Sequence, residues 1–510
     1  MSDHADTAGR VADGEVRFVL DGEIVRVRDL SPQTTLLEFL REHVGRVGTK
    51  EGCAEGDCGA CTVVLAEANA AGGLDWRPIN ACIRPLPTVD GKALFTVESL
   101  KCPDGALHPV QQALVDCHAS QCGFCTPGFV MSLFGLYKNT HQPTRAAIDD
   151  ALSGNLCRCT GYRPIIAAGE RMGSLAAPTG WRGPGVDAAG ERSTTDEERG
   201  IATMLTSLQR KQTFAYEHTG QQFFAPTSCS ELAALRLAHP QARLVAGATD
   251  VGLWVTKQHR ELGTIIYTGN VRELLTCRST SSHLEIGAAV TLTTAFTLLN
   301  REYPEMAEAW TRFASVPIRN AGTLGGNIAN GSPIGDSMPV LIALGANIVL
   351  RRGDTQRELP LEGFYVDYQK TALAPGEFVA LIRVPKAVAG VAIRTYKVSK
   401  RFDQDISAVF VCFRLQREGG LVTDIRIGCG GMAAIPKRAS KCEQALNGKP
   451  WDAATIAQAQ QALADDFTPL SDMRATATYR RLALANLLQR FYLETNGSKT
   501  ATRVLDYVTP

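Results

Sequence analysis

Charge imbalance, long apolar runs and internal repeats are all missing from this sequence. Over 510 residues, 53 Lys and Arg balance 52 Asp and Glu, for a net charge of +1. A chain so close to neutral offers no basic field for nucleic acid or acidic lipid. No apolar run approaches the ~20 residues needed to span a bilayer. Nothing like a signal peptide opens the chain, because Asp3, His4, Asp6 and Arg10 break any apolar stretch; a reducing, cytoplasmic location is expected. No helical or propeller repeat recurs. The length fits three or four domains, and the apolar content of 45% is ordinary for a globular protein.

What the chain does have is cysteine, 15 in all, and eight of them form two foursomes before residue 160. Cys53, Cys58 and Cys61 make C-x4-C-x2-C, and Cys82 follows after a strand-like run. This is the plant-type ferredoxin spacing for a [2Fe–2S] cluster. Cys122-Gly-Phe-Cys125 and Cys157-Arg-Cys159 supply the second foursome. A bridged iron pair takes three thiolates from one tight loop and the fourth from elsewhere. Gly52, Gly56 and Gly59 interleave with the loop cysteines, freeing backbone N–H groups to approach sulfur. Zinc is the competing ligand, since four thiolates also close a structural zinc site. Its usual paired short knuckles are a poor match to the first foursome but leave the second open. Disulfides fit a reducing compartment badly. Cys102, Cys117, Cys229, Cys277, Cys412, Cys429 and Cys442 lack ligand spacing and read as small buried hydrophobes. Two clusters in series imply a wire, with electrons entering at one place and leaving at another.

Along the chain, Val16–Leu20, Asp21-Gly22 and Glu23–Val27 read as a hairpin with a two-residue turn. A helix follows at 35–40, with Thr34 or Thr35 as its cap, then strands at 62–65 and 76–83. That order suits a β-grasp, ferredoxin-like [2Fe–2S] domain over 1–98. Helical texture at 108–117, from Thr126-Pro127 onward, at 144–152 and at 163–173 suits a small helical bundle over 99–173, with Thr126 as the cap of its second helix. Residues 174–212 read as a linker; the Gly-, Ala-, Ser- and Pro-rich 174–200 would span roughly 28 Å as a flexible coil, or lie stretched over another domain. An α/β domain is expected over 213–388 and an α+β subdomain over 389–510, the latter with strands at 408–415 and 424–428 and helices at 452–464 and 473–494. The fold class is multidomain α+β.

Two stretches of the α/β part offer small residues and backbone N–H groups suited to a pyrophosphate: Leu244-Val245-Ala246-Gly247-Ala248-Thr249-Asp250-Val251-Gly252 and Arg319 to Pro333. Neither fits G-x-G-x-x-G or Walker A, so a Rossmann or P-loop site is not expected. Taken alone they are tight turns; after two cluster motifs, a flavin is the better reading, because it joins one-electron to two-electron chemistry.

Glu51-Gly-Cys-Ala-Glu-Gly-Asp-Cys-Gly-Ala-Cys61, Gln121-Cys-Gly-Phe-Cys-Thr-Pro-Gly128 and Gly154-Asn-Leu-Cys-Arg-Cys-Thr-Gly-Tyr-Arg-Pro164 resemble the iron–sulfur part of molybdenum hydroxylases. The middle part resembles their FAD domain, of the PCMH and CO dehydrogenase flavoprotein type, and Tyr396-Lys-Val-Ser-Lys-Arg401 looks like that of xanthine dehydrogenases. The resemblance implies that Cys53, Cys58, Cys61 and Cys82 hold the cluster nearer the flavin, and Cys122, Cys125, Cys157 and Cys159 the one nearer molybdenum. It implies that Leu244, Val245, Ala246, Gly247, Ala248, Thr249, Asp250 and Val251 wrap the FAD diphosphate, and that Thr323 and Asn327 donate to phosphate. Phe313, Asp336, Val379 and Lys397 also fall on FAD-contacting positions. Phe313 and Val379 have core packing as their alternative, and Asp336 with Lys397 an ion pair or exposed charges. Lys397 or Arg401 would favour an anionic reduced flavin, and Asp403 and Asp405 neighbour an unresolved NAD site.

The sequence stops at Pro510 and offers no purine site. The resemblance therefore implies a separate large molybdopterin-binding subunit, in a heterotetramer of two small and two large subunits. It implies oxidation of hypoxanthine and xanthine to urate there, with NAD+ as acceptor. The rival readings are another molybdenum hydroxylase, acting on an aldehyde or a different N-heterocycle, and a non-catalytic iron–sulfur or zinc redox sensor.

Overall fold

The computed structural model of the protein describes residues 14–102, 104–498 and 501–502; Asp3, His4, Asp6 and Arg10 lie outside them. The chain forms two compact units. One comprises the described residues up to Arg272 together with Ala314–Gly322, the other Glu273–Phe313 together with those from Thr323 onward. Among the described residues, no helix is long and apolar enough to cross a membrane.

The first unit opens on the expected hairpin. Val16–Leu20 pairs antiparallel with Glu23–Val27 across Asp21-Gly22, and parallel with Ala93–Phe95. Thr62–Ala68 and Leu74–Asn80 complete a five-stranded mixed sheet. Thr35 is the helix cap, its hydroxyl accepting from the Glu38 N–H at 3.1 Å, and Leu36, Leu37, Phe39 and Leu40 are buried in one core with Val16, Phe18 and Leu65 of the sheet. Strand character stops at Asn80 rather than at Ile83, where Ala81–Ile83 tightens into a 3₁₀ turn that turns Cys82 toward the other ligands.

Four helices follow: Pro109–Asp116, Thr126–Asn139, Arg145–Leu152 and Arg163–Arg171. The second is capped by Cys125 and not by Thr126, whose hydroxyl instead pairs with that of Ser120 at 2.8 Å. The reason is positional: Cys125 must turn with the loop to reach its fellow thiols, which draws Thr126 into the first turn.

Residues 174–212 are not a flexible coil. Thr195 caps a helix over Asp196–Leu208, with three acidic residues in its first turn. Its Ile201, Ala202, Leu205 and Leu208 are buried in the same core as Trp76, Phe95, Phe129 and Phe134. Ahead of it Trp181 packs on Phe95 with ring centroids 4.6 Å apart and on Trp76 at 6.2 Å. The Lys138 ammonium, wholly buried, is held by Glu198 at 2.6 Å and by the carbonyls of Trp181 and Gly183. The segment is thus a strap that closes the ferredoxin-like sheet onto the helical bundle. Sparse apolar residues at helical spacing, diluted among Gly, Ser and charge, are what averaged composition hides.

The unit also holds a four-stranded sheet in the order Phe214–His218, Gln221–Ala225, Thr264–Tyr267, Arg243–Val245, the last three mutually parallel. One core runs from Phe18, Phe39 and Cys82 through to Phe223, Val245 and Tyr267, so this sheet and the ferredoxin-like sheet share an interior.

In the second unit, one five-stranded sheet is centred on Phe378–Pro385, paired antiparallel with His283–Gly287 and with Asn347–Arg352. A separate four-stranded sheet runs Ala392–Val398, Val409–Glu418, Leu421–Gly430, Lys437–Arg438. Its inner face packs Val411, Phe413 and Ile427 against Ala453–Ala464 and Ala477–Thr495. The last helix starts at Ala477, four positions later than 473, because Thr476 is the residue able to cap it.

Candidate functional site

The thiols of each foursome meet one another, in a chain of contacts in the first and in two pairs in the second. In the first, hydrogen bonding from Cys58 and Cys82 draws the Cys53 thiol down, and hydrogen bonding from Cys82 draws Cys61 down. In the second foursome Cys122 and Cys159 lie 3.6 Å apart, and Cys125 is within hydrogen-bond reach of Cys157. Among the described residues no group of three or more His, Cys, Asp or Glu is arranged around a single metal ion. A bridged iron pair needs four thiolates gathered in one place, and each foursome gathers its four.

The loop of the first foursome turns its backbone donors inward. The N–H groups of Glu55, Asp57 and Cys58 all point to Cys53 Sγ at 3.4 Å. Ala54 adopts a positive φ to let this happen, where the sequence had suggested only glycines. Asn80 Nδ2 reaches Cys61 Sγ at 3.8 Å. As free thiols these groups share protons unequally: hydrogen bonding from Cys58 draws Cys53 down, and that same bond pushes Cys58 up. Cys82 is likewise pushed up by its bonds to Cys53 and Cys61. A cationic centre that displaces the protons lets all four become thiolates. In the second foursome Cys157 Sγ meets Thr160 Oγ1 at 3.2 Å, and the Cys157 N–H donates to Tyr162 Oη at 3.0 Å. Burial pushes Cys125 up to about 12.

Leu244 and Val245 end the strand Arg243–Val245, and Ala246 to Asp250 form the turn leading to the helix Val251–Thr256. The carboxyl ends of parallel strands are where open α/β sheets take ligands. A Cβ on Gly247 would sit 2.1 Å from the Ala321 carbonyl, so only glycine admits this close approach. Burial pushes the Asp250 carboxyl up. The helix after this turn ends against the first cluster loop, where Thr256 Oγ1 donates to the Ala54 carbonyl at 2.7 Å.

Phe313, Thr323, Asn327, Asp336, Val379 and Lys397 belong to the second unit. Thr323 caps the helix Leu324–Asn330, accepting from the Gly326 N–H at 3.0 Å. Asn327 Oδ1 accepts from the Ser337 hydroxyl, which leaves its NH2 end to supply donors. Phe313 meets Phe296 edge-on, with centroids 5.1 Å apart. Val379 is buried beside a bulge in its pairing with Leu350. Lys397 and Asp336 form a buried ion pair at 2.8 Å, with Ser407 donating to the second carboxylate oxygen and the Arg312 carbonyl accepting from the ammonium. Arg401 is exposed and faces Asp405 at 3.6 Å. Asn80, Thr160 and Ser407 escaped the sequence reading. Asn80 sits two residues before Cys82 and Thr160 follows Cys159, so adjacency to a ligand was the usable signal; Ser407 had none.

Four family models match the chain in order: the 2Fe-2S iron-sulfur cluster binding domain over 18–85, the [2Fe-2S] binding domain over 96–170, the FAD binding domain in molybdopterin dehydrogenase over 216–387, and the CO dehydrogenase flavoprotein C-terminal domain over 394–495. Xanthine dehydrogenase of Emericella nidulans is 34% identical over 529 residues, covering 94% of this chain and 38% of that protein. Aldehyde oxidase 1 of Bos taurus is 30% identical over 526 residues, covering 94% and 39%. The chain thus spans less than half the length of these curated relatives. Among solved structures, a carbon monoxide dehydrogenase from Hydrogenophaga pseudoflava superposes with a TM-score of 0.50 at 28% identity, over 52% of this chain and 94% of that one. With both iron–sulfur domains and both flavoprotein domains present in one order, the chain belongs to the molybdenum hydroxylase family, of which it carries the iron–sulfur and FAD part.

Proposed function

We propose that this chain is the electron-relay subunit of a cytoplasmic xanthine dehydrogenase, working with a large molybdopterin subunit in a two-plus-two assembly. Hypoxanthine and xanthine are oxidised to urate on that partner, and NAD+ is the final acceptor. One observation carries the reading: two foursomes of thiols whose loops are joined by the Leu156 N–H donating to the Cys58 carbonyl at 2.9 Å, on a chain that aligns over 94% of its length with a xanthine dehydrogenase.

When bound, the clusters carry single electrons and the flavin joins these to two-electron chemistry. Cys53, Cys58, Cys61 and Cys82 hold one cluster and Cys122, Cys125, Cys157 and Cys159 the other. Leu244 to Val251 present backbone N–H groups to the FAD diphosphate, and Thr323 and Asn327 add side-chain donors. Phe313 and Val379 shield the flavin from water. Asp336 neutralises Lys397 within their buried pair, so we assign Lys397 to positioning and not to charge compensation of a reduced flavin. The Thr256–Ala54 bond ties the nucleotide turn to the first cluster loop, which favours that cluster as the flavin's neighbour.

Purified complex supplied with xanthine and NAD+ is expected to form NADH. The 30% identity to aldehyde oxidase 1 favours one alternative, a hydroxylase of aldehydes or other N-heterocycles. Turnover of aldehydes with none of xanthine would establish that alternative and overturn the first reading.

A further inference from the structure

The two cluster loops touch, and they touch through backbone. The Leu156 N–H, one residue ahead of ligand Cys157, donates to the carbonyl of ligand Cys58 at 2.9 Å. Asn155, only 3% exposed, sits behind this bond. Its Nδ2 donates to the Gly59 carbonyl at 3.1 Å and lies 3.4 Å from Thr62 Oγ1, while its Oδ1 accepts from Ser132 at 2.6 Å. Ser132 lies on the helix that begins beside Cys125. Gly59 has a positive φ, and a Cβ there would come 2.2 Å from the Gly154 carbonyl and 2.4 Å from Asn155 Nδ2. A Cβ on Gly128 would come 2.1 Å from the Gly59 carbonyl. Nothing larger than glycine lets the loops approach this closely.

We propose that Asn155 is a positioning residue for transfer between the clusters. It pins the Gly59 carbonyl, and with it the Cys58 peptide, so that Cys157, the Leu156 N–H and the Cys58 carbonyl form a continuous bridge from one ligand set to the other. The transfer it serves moves one electron, oxidising one cluster and reducing the other, with no bond made or broken. A buried amide satisfied on both ends holds such a register well, because any slip leaves polar groups unpaired. This proposal rests on the assignment of both foursomes to [2Fe–2S] clusters.

The test compares the full protein with Asn155→Asp, which keeps the Ser132 bond but sets a carboxylate against the Gly59 carbonyl, and with Ser132→Ala. Two readouts are needed: amide hydrogen exchange at Leu156, and the low-temperature magnetic splitting between the two clusters after dithionite reduction. Asn155→Asp is expected to retain the parent's iron content and the separate spectrum of each cluster. It should lose the splitting and exchange the Leu156 amide about tenfold faster, the scale of one lost buried hydrogen bond. Ser132→Ala should show the same changes, smaller. Unchanged splitting, no splitting in the parent, or loss of either cluster's iron in the variant would each overturn the proposal. A parent protein without iron would instead overturn the underlying cluster assignment.

Discussion

The two foursomes use the same ligands in different surroundings: Cys53, Cys58 and Cys125 are half-buried and Cys157 is buried, and the sets part at their extremes. Cys61 and Cys82 are 2% and 3% exposed, whereas Cys122 and Cys159 are open to solvent. The first is wrapped by N–H groups of its own loop, while the second leans on Thr160 and on the Phe124 N–H. Exposure and hydrogen bonds to sulfur both move a cluster's potential. Identical ligand sets therefore sit in different surroundings, from which a difference in potential between the two clusters is expected.

The scaffold beneath them is the most sensitive place to break that contrast. Lys138→Met leaves Glu198 buried without its cation, and denaturant titration should register a loss of about 3–5 kcal/mol. The helix carrying Lys138 starts beside Cys125, so iron from the solvent-open foursome should be lost first. The double variant Lys138→Met with Glu198→Met should recover most of the stability.

Acid sharpens the contrast next. Burial lowers His108 to about 4 from 6.5; its Nδ1 accepts from the Val110 N–H, so the neutral ring carries its proton on Nε2 and donates to the Arg182 carbonyl of the strap. A depressed folded-state value means the contribution is fully present above pH 6.5 and fades as the pH falls toward 4. Its size is about 3 kcal/mol. His108→Asn should flatten stability against pH across that window.

The smallest effect is the most selective. Asn80→Ala removes a donor to Cys61 and should lower the potential of the buried cluster alone. A net hydrogen bond of about 1 kcal/mol corresponds to about 40 mV for one electron. Potentiometric titration with separate detection of the two clusters would measure it.

Much of this was legible where chemistry is local. Asp21-Gly22 announces its hairpin, and the cysteine spacings announce their ligand loops, because the partners lie within a few residues. Longer-range features were silent. Asn155 acts on Gly59 across 96 residues, and Lys397 on Asp336 across 61. Between a flexible coil and a stretch lying over another domain, composition does not choose for the strap, because Trp181 and the helix Asp196–Leu208 owe their order to a core that includes Trp76, Phe95, Phe129 and Phe134. The Lys397–Asp336 pair was foreseen only as an alternative, since nothing in either segment names the other.

The most direct test is quantitative analysis of iron, acid-labile sulfide, zinc and flavin in the purified protein. Two [2Fe–2S] clusters and one FAD predict about four iron, about four sulfide and about one flavin per chain, with no zinc. Zinc in place of iron, or iron without labile sulfide, would contradict the relay.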